Sequence, residues 1–230
     1  MTQWKRTFIS AFLAQILSIV GFSFAMPFLP FFISDLGVTD KAEQAMWAGI
    51  VMSATGLTLG IFAPVWGILA DRYGRKTMVV RAMFGGTVVL ILMSLVQSVQ
   101  QLVVCRLLQG ALTGTVAASV ALVASVTPPR RSGFTLGMMQ AAVFLGVSLG
   151  PLAGGVVADH FGYRMAFRFG AIVVFLGGLL VFLGTEERFT PPDHADRDGT
   201  VSYWQLLTMT GLLTGVAVLF SVRLSTTMAN

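Results

Sequence analysis

The chain has 230 residues, 55% of them hydrophobic and only 11% charged, with a mean hydropathy of +0.81 and a formal net charge of +5. Soluble domains carry about 25% charged residues, so there is too little charge here to clothe a water-facing surface, and most of the chain is expected to face lipid. The positive residues sit singly at the ends of apolar runs and form no patch, which argues against nucleic acid as a partner. The single cysteine, Cys105, excludes an internal disulfide, and His160 and His194 lack companions at metal-ligand spacing.

Seven apolar runs follow in chain order, at about 8–33, 45–70, 78–97, 101–125, 134–158, 166–185 and 204–224. A helix needs roughly 20 apolar residues to cross a bilayer, and a barrel strand about 10 with strict alternation; these runs are helical in length and pattern. The first is longer than a signal-peptide core and lacks a small-residue cleavage site, so it is read as retained. With the N-terminus inside, Lys5, Arg6, Arg72, Arg75, Lys76, Arg81, Arg130, Arg131, Arg188 and Arg197 fall on the inner side. Only Lys41, Arg164 and Arg168 fall outside, while Arg106 and Arg223 lie within spans. That asymmetry predicts a cytoplasmic N-terminus in a multi-pass inner-membrane protein.

The end of the second run reads GILADRYGRK from Gly67, and the end of the fifth reads GVVADHFGYR, with Asp71 recurring as Asp159, 88 positions later. Three spans separate the two copies, so they run in opposite directions through the membrane. This is the pattern of an inverted 3+3 repeat, a common plan of secondary transporters. The inner copy carries Arg72, Arg75 and Lys76, while the outer carries only Arg164 as its equivalent charge.

Within the fourth run, Arg106, Gln109, Gly110 and Thr113 share one helix face, and a charge inside a span points to function by default. Gly146, Gly150 and Gly154, spaced by four in the fifth run, form a stripe on which a neighbouring helix packs closely. Pro151 lies among them and removes a backbone donor. Gln140, Phe144 and Ser148 step along the same run, and Gln15 is the lone amide of the first; Gln15 and Gln140 are candidate cavity residues. No Asp or Glu lies deep in a span: Asp35, Asp40, Glu43, Asp71, Asp159, Glu186, Glu187, Asp193, Asp196 and Asp198 all fall at loops or helix ends. No Ser–His pair or paired carboxylates occur in the spans, so no catalytic residue is assigned and an enzyme is not expected.

Three stretches carry a resemblance. GILADRYGRK resembles the cytoplasmic signature between helices 2 and 3 of the Major Facilitator Superfamily, with Gly67, Asp71, Arg72, Gly74, Arg75 and Lys76 in place. LVVCRLLQGALTG resembles the family's fourth-helix motif through Arg106, Gln109 and Gly110. GVSLGPLAGG resembles the fifth-helix motif of its antiporter branch through Gly146, Gly150, Pro151, Gly154 and Gly155. The resemblance implies an all-α membrane protein: a six-helix half of the Major Facilitator fold, an inverted 3+3 repeat, plus one further transmembrane helix. It implies alternating access, with efflux of drug-like or amphipathic small molecules by proton antiport, the proton gradient and no cofactor supplying the energy. Asp71 and its motif are then a gate, Arg106 a proton sensor or substrate-orienting residue, with Gln109, Thr113, Gln15 and Gln140 on the pathway. The lack of an intramembrane carboxylate departs from many drug antiporters.

The domain reading is a transporter half at 1–185, a cytoplasmic linker at 186–203 rich in Pro, Asp and Gly, and at 204–230 the first helix of an incomplete second half. Its partners are the bilayer, a small-molecule substrate, and a missing C-terminal half or a second copy of the chain. Two other functions stay open: an importer of sugars or metabolites, and a truncated, non-transporting membrane protein with a binding or regulatory role.

Overall fold

The computed structural model describes residues 3–187; the run at 204–224 and nearly all of the expected linker lie outside the described residues. Eight α-helices follow in order: α1 Gln3–Ser23, α2 Leu29–Asp35, α3 Lys41–Tyr73, α4 Arg75–Leu95, α5 Val99–Leu112, α6 Thr115–Val126, α7 Ser132–Phe161 and α8 Tyr163–Gly184, with a short 3-10 turn at Pro129–Arg131. They make six spans long and apolar enough to cross a membrane, α5 and α6 together forming the fourth. Large apolar side chains point outward from them, Ile68, Leu152 and Phe134 among them, each about two-thirds exposed. With six such spans and that apolar exterior, this is an integral membrane protein.

Two runs expected as single helices are broken. In the first, Pro27 has no N–H to offer the Ser23 carbonyl, so α1 stops there and Met26 N–H takes that carbonyl at 3.3 Å instead. In the fourth, Thr113 turns both its N–H (2.9 Å) and its hydroxyl (2.6 Å) onto the Gln109 carbonyl, and Gly114 follows at φ 108°. Only glycine takes that conformation without strain. Gly114→Ala is therefore expected to cost about 1–2 kcal/mol of stability, measured by thermal unfolding in detergent.

The repeat read from the sequence has a structural counterpart. Gly74 (φ 89°, ψ 149°) and Gly162 (φ 80°, ψ 164°) are each the single residue between two spans. Each N–H bonds back to the alanine of its motif, Gly74 to the Ala70 carbonyl at 3.0 Å and Gly162 to that of Ala158 at 2.8 Å. The same five-position pattern, Ala-Asp-x-aromatic-Gly, thus ends a helix, turns the chain through a positive-φ glycine and leads into the next span, on opposite faces of the bundle.

α1 is the central element, packed on α7 and α8, while α4 packs on α8 and α3 on α5. The main core gathers Leu29, Phe32, Ile33, Met83, Met93 and Phe167, with the Phe32 and Phe167 rings 5.2 Å apart. Truncating a ring buried this well costs about 3–5 kcal/mol in soluble cores.

Candidate functional site

Three groups of predicted residues occupy three places. The cytoplasmic motif straddles the α3–α4 turn. Gly67, Asp71 and Arg72 lie exposed on α3, and a Cβ on Gly67 would meet no atom within 4 Å. Asp71 does not pair with Arg75: among the described residues the one ion pair joins Arg6 and Glu186, at 3.1 Å. Arg75 instead reaches α6 and donates from Nη1 to the Ala121 carbonyl at 3.2 Å.

The same turn holds a contact that sequence reasoning missed. Gly74 has no side chain to cap α4, and its first-turn N–H groups would be orphaned. Glu187, just beyond α8, supplies both carboxylate oxygens: Oε1 accepts from Arg75 N–H at 3.0 Å and Oε2 from Lys76 N–H at 2.7 Å. Lys76 returns the contact, donating from Nζ to the carbonyl of Thr185, the C-cap of α8, at 2.7 Å. An anion sits at one helix start and a cation at one helix end, each the favourable sign for the local dipole. The only hint in the sequence is a glycine where a capping residue normally stands. Glu187→Ala is expected to lower stability by about 1–2 kcal/mol, as lost helix caps do. Glu186→Ala, breaking a pair whose side chains are 54% and 55% exposed, should cost less than about 0.5 kcal/mol. Parallel denaturation of the two variants checks the difference.

Arg81, counted above among the loop charges, belongs to α4. Its guanidinium lies 3.4 Å from the centroid of the Trp66 ring, a cation–π arrangement. Trp66 in turn donates from Nε1 to the Ala111 carbonyl at 2.6 Å, beside the break in the fourth span.

The second group is the polar face of α5. Arg106 is 3% exposed and donates from Nη1 to Gln109 Oε1 at 2.9 Å; its Nε has no partner among the described residues. No carboxylate among them lies within ion-pair distance of it. Gln109 and Thr113 are also buried, so the i, i+3, i+7 face stands as expected, with Thr113 ending the helix. Behind it, α3 comes so close that a Cβ on Gly110 would run into the Thr55 carbonyl and the Thr58 hydroxyl.

The third group is the glycine stripe of α7, which lies against α1. A Cβ on Gly146 would stand 2.5 Å from Ile19 Cβ, and one on Gly150 2.5 Å from Ser23 Cβ. On Gly154 it would run into the Phe24 carbonyl, while Gly155 faces only the tip of the Phe28 ring at 3.3 Å. α7 continues as one helix through Pro151. Gln15 is completely buried in α1, whereas Gln140 is exposed on α7. The structure does not bring these two amides together with Arg106.

Residues 11–229 match the family model of the Major Facilitator Superfamily. The protein called Multidrug resistance protein MdtG is 43% identical over 188 residues in Escherichia fergusonii and 42% identical over 188 residues in Salmonella arizonae. Each alignment covers 82% of this chain and 46% of the relative, so the chain spans about half the length of the curated relatives it matches. Among solved structures, the human organic anion transporter MFSD10 (TETRAN) superposes with a TM-score of 0.69 at 21% identity, covering 81% of this chain and 49% of that one. An auto-inhibited POT family peptide transporter gives 0.68 at 16%, covering 82% and 39%. The fold of those two is shared, and with the family match over nearly the whole length, this chain belongs to the Major Facilitator Superfamily.

Proposed function

We propose that the chain supplies the N-terminal half of an exporter of amphipathic small molecules, working by alternating access and driven by proton antiport. The observation that carries this reading is Arg106: a guanidinium sealed inside an apolar span and held by Gln109, with no carboxylate of the described residues in ion-pair distance. A charge in that position is expensive and is kept where a substrate or proton pathway uses it. The close relatives named for multidrug resistance favour export of drug-like compounds. So does the tight α1–α7 seam, made by the antiporter-type glycines.

On this reading Asp71, Arg72 and Gly67 sit on the face that a second half covers when the inner side closes. Residues 1–185 are the transporter half, 186–203 the linker and 204–230 the start of the other half. The second half is either a further set of spans or another copy of the chain. Loop charge favours a cytoplasmic N-terminus in the inner membrane. Gln15, Gln109, Thr113 and Gln140 are assigned to the pathway.

The test is extrusion of a lipophilic dye by cells producing the chain with a second half, with and without a protonophore. Gradient-dependent extrusion that disappears in Arg106→Ala is expected. Extrusion unchanged by that substitution would remove Arg106 from the mechanism.

A further inference from the structure

The seam between α1 and α6 contains a polar joint, made by Gln15 and a second buried side chain on α6. The first and fourth spans run antiparallel, and contacts at two levels set their register. Ala11 of α1 clusters with Val123 of α6 and Met139 of α7. Further along, a Cβ on Gly86 would meet both the Phe22 ring and the Thr113 methyl, so Phe22 lies level with Thr113. One turn from Ala11 towards Phe22 is Gln15; one turn from Val123 towards Thr113 is Ser119. The two side chains therefore stand opposite each other between those levels.

Both are 0% exposed. Gln15 Nε2, Gln15 Oε1 and Ser119 Oγ have no partner among the described protein groups. Ser119 is unusual in this: Ser18, Thr87, Thr113, Thr127 and Thr185 all turn their hydroxyls onto a carbonyl three or four residues back. The third wall is α7, where Gly146 touches Ile16 and Ile19. Ala142, one turn earlier and 0% exposed, then comes level with Gln15. Three unpaired polar atoms in an apolar seam call for a partner.

We infer that Gln15 and Ser119 hold one internal water molecule that bridges the first and fourth spans. Water fits the chemistry: the amide offers a donor and an acceptor, the hydroxyl can be either, and a buried water makes two to four such bonds. Neither residue carries a charge to hold an ion. Ser119 lies on α6 and Arg106 on α5, on opposite sides of the break at Thr113 and Gly114, and Arg106 bonds to Gln109, so the joint is separate from the Arg106 site.

The test is a double-substitution cycle in the full chain in lipid nanodiscs, read by thermal unfolding. Gln15→Leu and Ser119→Ala should each lower Tm, and the double variant should be no lower than the worse single, because both lose the same bridging molecule. Additive shifts would overturn the proposal, most plainly if the apolar replacements raise Tm. X-ray radiolysis of the unsubstituted chain provides a readout that does not need the variants to fold. Radicals formed from a held water should oxidise Met139, which is 0% exposed and one turn from the joint, on the timescale of exposed side chains. Protection of Met139 would overturn the proposal.

Discussion

Gly154→Ala is expected to destabilise the protein by about 3 kcal/mol, the upper end of what overpacking costs. The new methyl would run into the Phe24 carbonyl, which is backbone and cannot rotate aside as a side chain can. Gly150→Ala should come close behind, since its methyl meets Ser23 Cβ at 2.5 Å and the Val20 carbonyl at 2.9 Å. Gly155→Ala meets only a ring tip at 3.3 Å, which can tilt, and should cost less than about 1 kcal/mol. At Gly137 nothing lies within 4 Å, so alanine there should stabilise by up to about 1 kcal/mol through better helix propensity. The sign of the effect therefore reverses along one helix, and unfolding of the four variants in detergent measures it. Equal effects at Gly137 and Gly154 would mean that α7 does not lie on α1 as described.

Arg106→Met is expected to make the protein more stable and, on the export reading proposed above, to cripple transport by the chain paired with a second half. Removing a guanidinium from a span relieves about 2.5–3.5 kcal/mol of burial cost. Against this, Gln109 loses the donor it holds at 2.9 Å, leaving a buried amide oxygen unpaired at about 1–3 kcal/mol. The single variant should thus gain only about 1 kcal/mol. Adding Gln109→Leu removes the orphan and should bring the gain to about 2–3 kcal/mol. The proposed export should fall by about 30-fold or more in both, the rate equivalent of losing one charged, buried hydrogen bond. A stable variant that exports normally would show that Arg106 is merely tolerated.

The parts of this fold that rest on local chemistry were legible in the sequence. The two Ala-Asp-x-aromatic-Gly stretches announce two glycine turns because the fifth residue has to accept a positive φ, and Gly74 and Gly162 both do. The Gly146, Gly150 and Gly154 stripe announces a close helix because nothing else needs small residues every fourth position. The face shared by Arg106, Gln109 and Thr113 follows from helical spacing. What was hidden depends on distant partners. Gly110 and Gly114 look alike in the sequence, yet the first admits Thr55 and Thr58 of α3 and the second breaks the helix. Arg81 reads as a loop charge until the Trp66 ring is found beneath it. Glu187 reads as a linker residue until the uncapped start of α4, more than a hundred residues earlier, is found beside it. Gln15 and Gln140 look equivalent as lone amides, and only the packing of α7 turns one inward and the other out.

The mirrored arrangement of the two three-span units is tested most directly by sidedness. Arg72 and His160 occupy equivalent positions in the two motif copies, and both are exposed. Each is changed singly to cysteine in a Cys105→Ala background and reacted with a membrane-impermeant maleimide, in right-side-out cells and in inverted vesicles. Position 160 should label only from outside and position 72 only from inside. Labelling of both from the same side would contradict the inverted repeat, and with it the assignment of gate, pathway and export direction.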